Sequence, residues 1–412
     1  MLRKLAFWLI SFGLLLILKP LARADFLAPG KNVSNSPASD SLFPKVATIP
    51  GTDYVFLIWI EEVGTDDLLY FSRSTDGGTT WTTPFQLTYA GQIQNPVYVD
   101  AANNFGFSLT ADDPYLHIVA QYRLNDTQDF EILYIRSPDL GENGLNWEFS
   151  TLTNNSTDSL FPDVAAGAGY VHVTYEDSWP GNIEVMYKRI ADDGGGAMDQ
   201  TRRLTFSSGH STYPKIAVSK DGETVHIVYA EQPLSSGATN IYYKHIDDAG
   251  SGPFTTRQIT FATNPGTESN SLPDIAASTG SDDQYVYIVY GGFWPGNWDI
   301  MYKRLDKYGH SGGSTYTARL TYSGTNSLAN SVAFDGSNNI VQIAYYDYWT
   351  GNSDVMHRKL TNYGGAGFSG QRVSWGIGDS YCPTIAAVST GAYIAWSDHT
   401  SGNYEIYVKK GS

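Results

Sequence analysis

The segment "DSLFPDVAAGAGYVHVTYEDSWPGNIEVMYKRIADDGG", residues 158–195, followed by "TRRLT" at 201–205, decides how the chain is read. Its apolar and aromatic residues come in short alternating runs, broken by Gly, Pro, Asn and Asp, with no helical period. That pattern predicts four strands joined by tight turns: "PDVAA", "YVHVTY", "IEVMYKR" and "TRRLT". The opening of the segment returns as "DSLFPKVAT" at 40, "HSTYPKIAV" at 210, "SNSLPDIAA" at 269, "NSLANSVAF" at 326 and "DSYCPTIAA" at 379. A weaker copy, "QIQNPVYVD", starts at Gln92. Seven copies predict an all-β protein, a seven-bladed β-propeller of four-stranded antiparallel blades.

The ends of the chain fit a closed ring. The last copy stops after its third strand, at "NYEIYVKKGS". Ahead of the first copy stands "PGKNVSNSPASD", whose "KNVSNS" resembles fourth-strand endings such as "RLTFSS" and "RLTYSG". Residues 25–40 are therefore expected to close blade 7, which removes the open sheet edges. Blades are expected to start near 41, 93, 159, 211, 270, 327 and 380.

Arg3 and Lys4, the apolar run 5–18 and Ala22-Arg23-Ala24 read as a signal peptide over 1–24, cut near Ala24-Asp25. Residues 25–412 are then one secreted or periplasmic propeller, expected to be monomeric and not inserted in a membrane. The chain carries 26 Lys+Arg against 42 Asp+Glu, a net charge of −16. Losing the four cations of residues 1–24 takes it from −16 to −20. Such a surface excludes nucleic acid as a partner. Cys382 is the only cysteine, so the fold must rest on a packed core.

A second recurring stretch is "SRSTDGGTTW", residues 72–81. Ser74, Asp76, Gly78, Thr80 and Trp81 fall between the third and fourth strands, and Asp139 and Gly141 repeat the pattern in the next copy. Later copies keep the Gly and lose the rest. The reading is a structural turn, with Asp accepting backbone N–H groups and Gly supplying a positive φ. An Asp-rich calcium loop is the alternative.

This motif resembles the Asp-box, or BNR repeat, of sialidases and their relatives. The resemblance implies a propeller hairpin on the face opposite the ligand mouth. It implies no single activity, because Asp-box propellers include sialidases, other glycosidases, sugar-binding proteins and sorting receptors. Related sialidases are usually six-bladed and grip a carboxylate with three arginines, one in an Arg-Ile-Pro motif. Here that stretch is Phe43-Pro44-Lys45-Val46, and Arg73, Arg136, Arg189, Arg304 and Arg358 lie beside the hairpins. Only Arg123 is placed to reach the mouth, so sialidase activity is not expected.

The mouth is read from two sets of loops. Entry positions include Asp158, His210 and Asp379, which either cap turns or bind a ligand. The turns "SWPGN", "FWPGN" and "YWTGN" carry Trp179, Trp294 and Trp349. Each Trp is either a clamp on the neighbouring blade or an exposed platform for a sugar ring. The acids that follow, Glu131, Glu184, Asp299, Asp354 and Glu405, are read as internal bonds. His117, His172 and His226 are read as packing, so neither a metal site nor a cofactor is expected. No catalytic residue is assigned. The expected function is a binding module for a glycan or an extracellular protein surface. One alternative is a carbohydrate-active enzyme, a sialidase-like exo-glycosidase or polysaccharide lyase, whose chemistry would sit in a deviant unit. The deviants are unit two (Gln92, Tyr122, Arg123) and unit four (His210). The other alternative is a structural envelope component.

Overall fold

Short β-rich runs between turn residues do become strands. The computed structural model describes residues 30–64, 66–88, 106–123, 129–193, 200–234, 237–264, 268–278, 285–294, 296–309, 316–348 and 351–411. The expected signal peptide, Gln92 and Trp349 lie outside them. Seven four-stranded antiparallel sheets follow one another in sequence. Blade 3 is typical, with strands Ser159–Gly167, Tyr170–Asp177, Glu184–Ala191 and Gln200–Arg203. Blade 7 has three strands from the C-terminus and a fourth, Lys31–Asn32, from the other end of the chain. Lys31 pairs with Val408 and Asn32 with Tyr407, and Val33 N–H continues the ladder to the Ile406 carbonyl at 2.8 Å. The ring is closed as the two ends of the sequence suggest.

Second strands are buried from end to end, as in Val55–Ile60, because neighbouring blades cover both faces. That explains why these runs are apolar throughout rather than alternating. First strands carry a bulge just before the proline, and its residue has a left-handed backbone: Phe43, Phe161, Tyr213, Leu272 and Cys382 have φ between +49° and +58°. The bulge N–H is caught by the preceding blade. Phe43 donates to Ser397 Oγ at 3.0 Å, Phe161 to Gln121 Oε1 at 3.0 Å and Tyr213 to Glu176 Oε1 at 2.5 Å. An off-pattern backbone is thus held by contacts between sheets. Cys382 is one of these residues, and burial pushes its thiol up, so it serves as packing.

The 72–81 hairpin folds around its own side chains. Ser74 Oγ–H donates to Asp76 Oδ1 (2.8 Å), and Thr80 N–H and Oγ–H donate to Asp76 Oδ1 and Oδ2 (2.8 and 2.7 Å). Trp81 Nε1–H reaches the Gly78 carbonyl at 3.1 Å. The Thr80 bonds, with that of Ser74, pull the Asp76 carboxyl down to about 2. Ser137, Asp139 and Gly141 repeat the arrangement.

Each hairpin is also a socket. A Cβ on Gly250 (φ +86°) would overlap the Tyr187 hydroxyl, and one on Gly364 (φ +67°) would overlap that of Tyr302. Gly141 and Gly309 receive Phe71 and Tyr243 in the same way. In every case the aromatic comes from the preceding blade. Arginines follow the same route: Arg73 Nη1 donates to the Leu140 carbonyl (3.1 Å), Arg189 Nη1 to Ala249 (2.6 Å) and Arg304 Nη1 to Tyr363 (2.8 Å).

Gly51 has a similar φ, +82°, but nothing near its would-be Cβ. Gly51→Ala should cost about 1 kcal/mol of backbone strain. Gly250→Ala should cost at least about 2 kcal/mol more, from forced overpacking. Urea unfolding of both variants checks this; equal losses would show that the socket does not constrain the blades.

Candidate functional site

The antiparallel ladders put the hairpins to the fourth strands at one end of each third strand and the loop from strand two at the other. At this second end the third strands of blades 2, 3, 5, 6 and 7 carry the repeated acid, Glu131, Glu184, Asp299, Asp354 and Glu405. In three blades an arginine from the fourth strand meets it. Arg203 Nη2 pairs with Glu184 Oε1 at 2.8 Å, Arg319 Nη2 with Asp299 Oδ2 at 2.5 Å, and Arg372 Nη2 with Asp354 Oδ1 at 2.5 Å. An aromatic ring lies over each guanidinium: Phe206, Tyr322 and Trp375, at 4.5, 4.8 and 4.9 Å. In blade 4 the acid is Asn240 and the arginine position is Gln258.

Blade 2 keeps the acid, Glu131, but not the cap. The register that sets Met186 opposite Arg203 sets Leu133 opposite Thr151. The position of Phe206 is occupied by Asn154. Two large side chains are therefore replaced by two small ones, and a cleft of about 880 Å³ opens between blades 2 and 3. Tyr122, Arg123, Asp129 and Glu131 line one wall, and Tyr175, Asp177, Trp179 and Lys188 the other.

Within the cleft the carboxylates are not equivalent. Asp177 is saturated: it accepts from Asn155 Nδ2 (2.9 Å), Thr157 Oγ1 (3.2 Å), Ser159 Oγ (3.2 Å) and the Trp179 N–H (2.7 Å). Its work is to hold the loop. Glu131 Oε1 accepts the Asn155 N–H at 2.7 Å, whereas Oε2 is buried with no partner among the described residues. Burial pushes the Glu131 carboxyl up, and Asp177 and Asp129 add to the shift. A carboxyl whose neutral form is favoured by burial, with one oxygen uncommitted, is suited to giving up a proton. Asp129 is exposed at the cleft wall and bonds no other described residue. Burial pulls the Lys188 ammonium down, against Asp177 and Glu131, and its Nζ donates to Thr201 Oγ1 at 3.2 Å. The Arg123 guanidinium lies 4.8 Å over Phe130. Trp179 is 66% exposed.

The other sequence-derived positions divide. Asp158, His210 and Asp379 tie blades together: they accept backbone N–H groups of Phe130 (2.9 Å), Ile183 (3.3 Å) and Ser353 (2.9 Å), each from the preceding blade. The capping alternative is thus nearer, but the bond crosses between sheets. Trp294 ends a second strand. His117, His172 and His226 are buried, each 2.7–2.8 Å from a Tyr hydroxyl of its own sheet. No group of three or more potential metal ligands occurs among the described residues. Glu131 was passed over because its repeats are internal bonds. The signal lay in the fourth strand, where "FSTLTN" departs from "TRRLTF", "TARLTY" and "GQRVSW".

No protein-family model and no curated protein matches the sequence. Solved structures do. The polysaccharide lyase Uly1 aligns with a TM-score of 0.57 at 9% identity, over 93% of this chain and 91% of that one. The α-L-arabinofuranosidase Arb93A of Fusarium graminearum aligns at 0.54 and 10% identity, over 93% and 97%. An endosialidase of phage phi92 aligns at 0.52 and 11% identity, over 93% and 69%. At such identities the likeness establishes the propeller fold. All three are carbohydrate-active enzymes, which overturns the expectation of a binding module and favours the enzymatic alternative.

Thr151→Arg, alone or with Asn154→Phe, should rebuild the cap of the other blades and fill the cleft. The variants should melt no lower than the parent and lose turnover of carbohydrate. Full activity with a filled cleft would place the site elsewhere.

Proposed function

We propose that the chain is an exported carbohydrate-active enzyme that hydrolyses glycosidic bonds in the cleft between blades 2 and 3. The observation that carries this reading is the uncapped, half-buried Glu131 with its free Oε2. The carbohydrate-active neighbours support the choice of substrate class. Glu131 donates its proton to the leaving glycosidic oxygen as the C1–O bond breaks. Asp129 activates a water molecule, which bonds to C1 and leaves its proton on that carboxylate. Two carboxyls on opposite sides of the scissile bond are the usual equipment for this reaction, at separations of roughly 5 to 9 Å. Trp179 presents an indole face to a sugar ring, and Arg123 and Lys188 donate to its hydroxyls.

The sign of the pH dependence follows from the role. Burial favours the neutral carboxyl, and the neutral form is the working one. Activity is therefore present below the raised Glu131 pKa and lost as pH rises through it. Glu131→Gln should lower kcat by about 10²- to 10⁴-fold and erase this alkaline limb. The assay measures new reducing ends and ultraviolet absorbance on neutral, sialic-acid and uronic-acid polysaccharides. Reducing ends without an unsaturated product bear out hydrolysis. An unsaturated product would replace it with elimination, and no turnover on any of the three classes would overturn the enzymatic reading.

A further inference from the structure

On the same end of the ring, but across blades 6, 7 and 1, a second group of side chains has no part in the cleft. Tyr348 follows the second strand of blade 6, Tyr381 stands in the first strand of blade 7, and His399 and Tyr404 flank the turn that leads to its third strand. Their rings form one connected array. Tyr346 meets Tyr348 edge-on at 5.7 Å and Tyr381 at 5.3 Å, Tyr381 lies 6.2 Å from Tyr404, and His399 lies 4.8 Å from Tyr404. Tyr346 is buried and supports the array, Tyr348, Tyr381 and Tyr404 are half-buried, and His399 is exposed. Two carboxylates border the rings. Asp40 Oδ1 accepts the Tyr404 N–H at 2.7 Å, and Asp379 Oδ1 accepts Ser353 N–H and Oγ–H at 2.9 and 3.1 Å. The Oδ2 atom of each has no hydrogen bond to a described residue.

We infer that this array is a second carbohydrate site, for a neutral, hydroxyl-rich glycan. Staggered aromatic rings offer C–H-rich sugar faces an apolar surface, while the two open carboxylate oxygens accept from sugar hydroxyls. Burial pushes the Tyr381 hydroxyl up to about 12, with Tyr348, Asp379 and Tyr404 adding to the shift, so it stays a donor. The charged groups acting on Tyr381 and Tyr404 are the acids Asp379 and Asp40. An anionic sugar would meet repulsion here, which sets this array apart from the cleft with Arg123 and Lys188. The assignment extends the proposed activity by making the substrate a neutral polymer held at two places, but binding at the array does not depend on turnover.

Affinity gel electrophoresis of the full chain tests it, with linear arabinan, xylan or mannan in the gel and polygalacturonate as the anionic comparison. The probe protein is Glu131→Gln, so that no polymer is consumed. Retardation by a neutral polymer and not by polygalacturonate is expected. Tyr404→Ala and His399→Ala should each weaken it about tenfold, equivalent to about 1.4 kcal/mol. Tyr381→Phe, which keeps the packing on Tyr346, provides a readout even where Tyr381→Ala fails to fold; it should weaken retardation too. Absence of retardation by all three neutral polymers, or retardation indifferent to Tyr404, His399 and Tyr381, would overturn the inference whether or not the enzyme turns over a substrate.

Discussion

An aromatic side chain of one blade enters the hairpin of the next, where only glycine leaves room for it. Tyr187 under Gly250, Tyr243 under Gly309 and Tyr302 under Gly364 repeat this contact around the ring, and Arg189 and Arg304 add hydrogen bonds to the same hairpins. A four-stranded sheet has two apolar faces and cannot bury either alone. The socket fixes how one sheet lies on its neighbour, so the angle between blades is set by local chemistry and the ring follows. The 72–81 turn has its place in this scheme. Its Asp76 and Ser74 bonds hold the loop in a shape that leaves the glycine facing the incoming ring.

A scaffold built in this way makes its repeated polar groups unavailable. Glu184, Asp299 and Asp354 are each paired with an arginine, although Glu184 Oε2, like Glu131 Oε2, has no hydrogen-bond partner among the described residues, and the acids that end second strands, such as Glu61 and Asp398, accept from Ser41 and Ser380 (both 2.9 Å). Buried charges without such partners would be costly. Chemistry therefore needs a lapse in the repeat, and the lapse has to be local enough to leave the sockets intact. Thr151 and Asn154 meet both conditions. They lie at the end of a fourth strand, away from the hairpin socket, and they uncover a single carboxyl.

Much of the architecture was legible because each blade states it again. Spacing located the strands, and the unfinished last copy pointed to the Lys31–Asn32 strand as its complement. What stayed hidden were relations between copies. The left-handed bulge at Phe43 and its equivalents leaves no mark on hydrophobic alternation, and the N–H it frees is satisfied by a residue from another blade. The tie from Asp158 to Phe130 is invisible for the same reason. Glu131 was hidden differently. Its own position looks ordinary, and the difference resides in two residues some twenty positions later that face it across the sheet.

That displacement also explains why the tryptophan turns were a partial guide. Trp179 does reach the cleft, but the acid of its own unit, Glu184, is capped by Arg203. An exposed indole is therefore insufficient to mark a reaction centre in this fold. The space above the acid supplies the missing discrimination. Where an arginine stands beside the acid, its guanidinium and the ring over it fill that space. Where threonine stands there instead, the space is open, and burial favours the neutral form of Glu131. One substitution in the fourth strand thus gives access to a carboxyl inclined to hold its proton, and these are the two properties a general acid requires.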